Sequence, residues 1–309
     1  MVGSLEEVTT AERALIVGIG GGGDVVSTIP TARLLELFGV DIVLGGVIWV
    51  PVPRDDRPGP RSLDELEQVE PVQERIARVS SDSTTVDGIS LAEAKVAKLT
   101  GDEVLALDIS GGVNPLSRSL DAYCQDTGTD LVIGVDAGGD ALAVGDEPGL
   151  RSPLTDAIGL AVLADLDCDS LLGVIGFGSD GELTQSELTE AVGTLAAAGA
   201  LLGAWGITPR IKTELERILS EVETEASRLP VEAAAGRFGE QRIRDGRRRA
   251  TVTPMAPITY YFDPSQVANR SKVTELVRGA TDVADAADRL SEHGLITEFD
   301  LERDRLESG

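Results

Sequence analysis

The stretch Ala14-Leu15-Ile16-Val17-Gly18-Ile19-Gly20-Gly21-Gly22-Gly23-Asp24 constrains this chain more than any other. It reads as a short buried strand running into five glycines among six residues and closing on a carboxylate. A helix is expected from Val25 to Phe38. Strand, glycine turn and helix in succession build an anion site in a parallel α/β sheet: bare backbone lets a phosphate come close, and the helix start points N–H groups at it. Four consecutive glycines are entropically costly to order, and helix–strand packing needs only one or two. Gly20, Gly21, Gly22, Gly23 and Asp24 are therefore read as ligand-contacting.

The design recurs. A second apolar strand, Asp41 to Trp49, carries Gly45-Gly46. A third, Glu103 to Ile109, runs into Ser110-Gly111-Gly112. A fourth, Asp130 to Val135, ends in Asp136-Ala137-Gly138-Gly139-Asp140, and a fifth, Ser170 to Ile175, ends in Gly176 to Glu182. Alternating strands and helices predict an α/β fold, a doubly wound, mostly parallel Rossmann-like sheet with helices on both faces. Ser62 with Glu65, and Thr184 with Glu187, have capping-box spacing and predict helix starts; Ser152-Pro153 predicts an N-cap followed by an N1 proline. The second helix is expected to become an alanine-rich run, Leu195 to Leu202. Residues 1–206 are read as the core and 207–309 as a helical and short β extension packed on it. That extension comprises a long helix from Arg210 to about Ala235, a β-like segment from Ala250 to Phe262, an amphipathic helix from Val267 to His293, and a short tail.

Composition narrows the function classes. Against 27 basic residues stand 53 acidic ones, a net charge of −26, and only four of the bases are lysine. An even acidic coat poor in lysine fits a cytoplasmic protein of a high-salt cell, where screening removes self-repulsion. Such a surface repels nucleic acid and anionic membranes, so any anionic ligand must be met by a local arginine cluster or by backbone N–H groups. No signal peptide and no membrane-length apolar stretch is found. Cys124 and Cys168 have no metal-ligand spacing and are read as buried free thiols.

Gly18, Gly20 and Gly23 fit G-x-G-x-x-G in the required context. The second strand, however, ends without the carboxylate that would hold a ribose, and Asp24 stands where a pyrophosphate would sit. NAD and FAD are therefore disfavoured. The Walker lysine is also missing, which excludes a P-loop NTPase. Asp24, Asp108, Asp136, Asp140 and Asp180 lie at or just past strand C-terminal ends, which share one edge in an open parallel sheet. Acids on that edge suit a hard cation, Mg²⁺ above all, or a general base. Asp136 and Asp140 are the best pair for catalysis, and with Asp24 the candidate metal ligands. Prolines 51, 53, 58 and 60 stiffen a loop carrying Arg54, Arg57 and Arg61; Arg54 and Arg61 are expected to bind phosphate or carboxylate bidentately. A second arginine run, Arg237 to Arg249, is read mostly as salt bridging to the abundant acids. His293 is the sole histidine, which rules out a histidine-based triad, and Ser179 lies in Gly-Phe-Gly-Ser-Asp-Gly, which is not a hydrolase elbow.

Gly18-Ile-Gly-Gly-Gly-Gly-Asp24, Gly45-Gly46-Val-Ile-Trp49, Pro58-Gly-Pro-Arg61 and Asp136-Ala-Gly-Gly-Asp140 with Ser152-Pro153-Leu-Thr-Asp156 occur in order. In these motifs the chain resembles the domain-of-unknown-function family 1152, found largely in archaea. The resemblance implies an archaeal cytoplasmic protein and supplies no activity. The expected ligand is a small anionic metabolite. The leading reading is an enzyme acting on a nucleotide or sugar phosphate with Mg²⁺. A non-catalytic metabolite-binding protein and a cation-dependent nucleoside or sugar hydrolase remain alternatives, and a homo-oligomer remains open.

Overall fold

The computed structural model describes residues 3–51, 54–57 and 59–308. Val52, Pro53 and Pro58 of the proline-stiffened loop lie outside the described residues. In chain order the strands are β1 (Arg13–Gly18), β2 (Asp41–Val47), β3 (Leu66–Gln73), β4 (Ile76–Thr85), β5 (Val104–Leu107), β6 (Leu131–Ala137), β7 (Asp169–Ile175), β8 (Leu201–Gly206), β9 (Gly239–Ile243), β10 (Arg248–Val252) and β11 (Ile258–Phe262). Nine of them form one sheet in the order β3-β4-β5-β2-β1-β6-β7-β11-β8, and β9 pairs with β10 in a separate hairpin.

The centre of the sheet is parallel. β1 pairs with β2 on one side and β6 on the other, β2 with β5, and β6 with β7. The chain winds outward from β1 to β5, returns to the middle, and winds the other way through β6 and β7. The order reverses between β1 and β6, where a doubly wound sheet opens a crevice at its carboxyl edge. β4 joins β5 antiparallel, β11 joins β7 antiparallel, and β8 joins β11 antiparallel. The strand-to-strand alternation is visible in the packing: Ala14 and Ile16 of β1 enter one core while Leu15 and Val17 enter the other, as side chains of period two must. Helices cover both faces, among them Ile29–Glu36, Ala92–Thr100 and Pro209–Leu219 on one side and Val113–Thr127, Leu154–Asp165 and Lys272–Arg278 on the other.

Several expected elements differ. The predicted helix from Val25 to Phe38 is a 3₁₀ turn, Asp24–Thr28, followed by the helix Ile29–Glu36. The Ser62–Glu65 capping box forms, but over a single turn, Leu63–Glu65, after which the chain turns into the β3–β4 hairpin. The alanine-rich run breaks: its helix ends at Ala197 and Leu201–Gly206 becomes β8. The long helix is two, Pro209–Leu219 and Glu225–Ala234. The amphipathic stretch is three short helices, each opened by a side-chain cap from Asp263, Ser271 or Asp282. The tail is a helix, Glu298–Ser308. Cys124 and Cys168 are both free, but only Cys124 is buried as read; Cys168 is half-buried, and the two sulfurs lie 3.3 Å apart. Among the described residues no helix is long and apolar enough to cross a membrane.

Candidate functional site: an acid floor under an arginine rim

A cavity of about 1070 Å³ opens at the carboxyl edge of the sheet, at the β1/β6 reversal. Asp24, Asp136, Asp140, Asp156 and Asp180 all line it, and all five are buried. Asp136 is the last residue but one of β6, Asp140 opens the turn after it, Asp24 follows the β1 glycines, Asp180 follows β7, and Asp156 stands in the first turn of the helix Leu154–Asp165. Asp136, Asp140 and Asp156 each offer a carboxylate oxygen, and these oxygens lie within 4.8 Å of one another.

The electrostatics follow from this crowding. Burial pushes the Asp24 and Asp180 carboxyls up to about 7, with Glu182 adding to the rise at Asp180. Asp136, Asp140 and Asp156 are raised well above the carboxylate range, first by burial and then by neighbouring carboxylates: Asp180 and Asp24 at Asp136, Asp156 and Asp136 at Asp140, and Asp136 and Asp24 at Asp156. Part of the set is anchored. Asp136 accepts the Ala141 N–H at 3.2 Å, and Asp180 Oδ1 accepts the Glu182 N–H at 3.0 Å. Asp156 Oδ1 and Asp180 Oδ2, by contrast, are buried with no hydrogen-bond partner among the described residues. A buried carboxylate oxygen without a partner is expensive, and several around one cavity form the environment a cation relieves.

Two further acids hold the walls. Glu298, from the C-terminal helix, accepts the N–H groups of Leu154 and Thr155 at 3.0 and 2.8 Å and the Thr155 hydroxyl at 2.7 Å. It thereby caps the helix that carries Asp156; Ser152 does not, its hydroxyl being turned to Glu182. Glu182 accepts the Arg151 and Ser152 N–H groups at 2.7 and 3.0 Å and pairs with Arg248 at 2.5 Å. Trp49 closes one side, its indole N–H donating to Glu302 at 2.8 Å and its ring edge-on to Phe299. Arg54, Arg151, Arg228, Arg244, Arg247, Arg248 and Arg305 also line the cavity, so acids and guanidiniums share one space.

The glycine loop differs from the expected phosphate cradle. Gly21, Gly22 and Gly23 are all left-handed, at φ +73°, +62° and +116°. That conformation folds the Asp24 carboxylate back over Gly20, where a Cβ would overlap it. The Gly22 N–H is spent on the Trp49 carbonyl at 3.0 Å. The loop leads into a five-residue 3₁₀ turn that continues directly into the helix Ile29–Glu36.

Of the other sequence-predicted residues, Gly20, Gly21, Gly22, Asp24, Arg54, Asp136 and Asp140 come together in the cavity. Gly23 packs under Thr224 and Val222. Arg61 does not reach the cavity: it is 1 % exposed and forks onto Asp55, 1 % exposed as well, with Nε at 2.8 Å. Gly45 and Gly46 lie inside β2, where a Cβ would press on Leu107 and overlap Glu93. Gly111 backs onto Arg75 and Pro115, and Gly112 onto Asp282. Gly138 and Gly139 clear room for Asp180 and Leu188. These six glycines shape the sheet edge without lining the cavity. Asp108 is paired with Arg75 at 3.0 Å away from the cavity. Sequence reasoning assigned no role to Asp156, Glu182, Glu298 or Arg305. An acid three residues into a helix looks like an ordinary first-turn residue, and the last helix reads as a tail.

No curated protein matches the chain. A family described as a protein of unknown function, DUF1152, matches residues 15–306, a span that contains both the glycine loop and the C-terminal helix over the cavity. The chain belongs to the DUF1152 family.

Proposed function

We propose that the protein is an enzyme acting on a phosphorylated small molecule, a nucleotide or sugar phosphate, with Mg²⁺ held by Asp136, Asp140 and Asp156. The observation that carries this reading is the pairing, within one cavity, of buried aspartates having unpartnered oxygens with a set of arginines. A cation neutralises the acids and presents a phosphate oxygen, and guanidiniums match the remaining phosphate oxygens bidentately. Asp24 faces the same space and suits a sugar hydroxyl or a metal-bound water; Asp136 and Asp140 are the residues assigned to catalysis. Phosphoryl or glycosyl transfer and hydrolysis need mainly positioning and charge stabilisation, so this arrangement requires no histidine or cysteine nucleophile.

The test is thermal unfolding in high KCl against nucleotides and sugar phosphates, with and without Mg²⁺, for the wild type and Asp140→Asn. Stabilisation that needs both Mg²⁺ and Asp140, accompanied by turnover, is the expected result. Binding without turnover would reassign the cavity to a metabolite-binding protein. The absence of any response to every phosphate compound would refute the proposal.

A further inference from the structure

We infer that the C-terminal helix Glu298–Ser308 is a strap that controls cation binding, with Glu298 as the residue that positions Asp156 through the start of the helix Leu154–Asp165. This rests on the reading of the aspartate floor as a cation site and adds to it what regulates that site.

The helix that carries Asp156 has no cap of its own. Pro153 precedes it without a side-chain hydrogen bond, and the Ser152 hydroxyl is turned to Glu182. The first-turn N–H groups of Leu154 and Thr155 go instead to Glu298, 144 and 143 residues away. Oε2 accepts the Leu154 N–H at 3.0 Å, and Oε1 accepts the Thr155 N–H at 2.8 Å and the Thr155 hydroxyl at 2.7 Å. A carboxylate is the favoured charge at a helix start. Both of its oxygens are engaged by these donors, so Glu298 acts on the backbone beside Asp156. The next residue is Asp156, whose Oδ1 has no hydrogen-bond partner among the described residues. The backbone turn that Glu298 holds therefore aims this oxygen. Outer contacts that orient a metal ligand are a main control on metal affinity.

The same helix forms a wall of the cavity, which Glu298, Leu301, Glu302, Asp304 and Arg305 line. Its second anchor is Glu302, one turn further on, which accepts the Trp49 indole N–H at 2.8 Å and the Gly59 N–H at 2.9 Å. Between the two anchors the Phe299 ring lies edge-on to Trp49 at 5.3 Å and covers Gly59, where a Cβ would stand 2.6 Å from it. The apolar hold is small. Phe299 packs against the core while remaining partly exposed, and Leu306 is 39 % exposed. A helix of 11 residues is marginal by itself, and one held mainly by two carboxylates and a ring opens more easily than the sheet beneath it. Opening removes a wall of the cavity and uncaps the helix of Asp156 together. The coupling is reciprocal: a docked strap favours the cation, and the cation favours the docked strap by the same factor.

Mn²⁺ alone is the probe, as an oxygen-seeking substitute for Mg²⁺, its binding to the full chain in high KCl read from the electron paramagnetic resonance of the free ion. Glu298→Ala is expected to weaken Mn²⁺ binding at least ~10-fold, the effect of removing an outer partner of a metal ligand. Glu298→Gln keeps an oxygen for Thr155 and should recover part of that loss, which it would not do if the charge of Glu298 acted on the cation directly. Hydrogen exchange of the wild type gives the reciprocal readout: saturating Mn²⁺ should slow exchange of the amides of residues 298–308 by the same ~10-fold. Unchanged Mn²⁺ affinity in Glu298→Ala, a Glu298→Gln variant as weak as the alanine one, or exchange over 298–308 indifferent to bound Mn²⁺ each overturns the strap and leaves the cation reading standing. Absence of Mn²⁺ binding by the wild type overturns both. Exchange in the wild type needs no variant, so it decides the matter should Glu298→Ala fail to fold.

Discussion

Replacing Asp180 by asparagine should stabilise the ligand-free, metal-free protein, and the gain should depend on pH. Asp180 is buried, its Oδ2 has no hydrogen-bond partner among the described residues, and burial together with Glu182 holds its carboxyl at about 7 against an ordinary 3.8. A carboxyl whose pKa is higher folded than unfolded loses stability as pH rises past its unfolded value, and the loss is complete above its folded value. A rise of about three units corresponds to roughly 4 kcal/mol at pH 8. At pH 5 the folded carboxyl is protonated, and the same linkage leaves roughly 2 kcal/mol. Asparagine keeps the Oδ1 acceptor for the Glu182 N–H but buries an amide with no assured acceptor, at about 1–3 kcal/mol. The net gain at pH 8 is then about 1–3 kcal/mol, a rise in Tm of several degrees at roughly 2 °C per kcal/mol for a large domain. The assay is thermal and urea unfolding in EDTA and high KCl at both pH values; salt screens the exposed charges strongly and the buried ones little. A loss of stability at pH 8, or a gain of equal size at pH 5, would refute the claim that Asp180 is held against its preferred protonation state.

Other elements make independent predictions. Arg61→Ala strands buried Asp55 and should cost about 3–5 kcal/mol in urea unfolding; because Arg61 lies outside the cavity, variant protein that folds should keep the Mg²⁺–phosphate response. Cys124 and Cys168, with sulfurs 3.3 Å apart, should close intramolecularly under diamide, the half-buried Cys168 reacting first because it is the more accessible of the two. Loss of two hydrogens by mass spectrometry without dimer formation is expected, and two freely alkylated thiols after oxidation would contradict it.

The parallel centre of the fold was legible because each of its strands is a local signal: an apolar run buried on both faces, with glycines in it or just after it. The cap at Thr184–Glu187 was legible for the same reason, being complete within four residues, with the Glu187 carboxylate accepting the Thr184 N–H at 2.7 Å. The β3–β4 hairpin was not. Leu66–Gln73 is largely polar and half exposed, so no apolar pattern separates it from a helix. β8 was hidden because its alanine-rich approach favours helix locally, whereas pairing with β11 decides in favour of strand. In the site, Asp24, Asp136 and Asp140 could be read from their strand ends. Arg61 was misleading: proline and arginine in a loop look ligand-facing, yet the guanidinium is consumed by Asp55. Glu298 and Arg305 depend on a helix Glu298–Ser308 returning over the sheet edge, where Glu298 caps the helix that carries Asp156. No local pattern announces that return.

Whether the aspartate floor holds a divalent cation can be tested directly in a crystal. Mn²⁺, an oxygen-seeking substitute for Mg²⁺, can be soaked into crystals of the protein and located by its anomalous scattering. A peak within about 2.2 Å of carboxylate oxygens of Asp136, Asp140 and Asp156, absent in Asp140→Asn crystals, is the predicted result. A cavity without an anomalous peak at saturating Mn²⁺, or a peak at other acids that persists in Asp140→Asn, would contradict it.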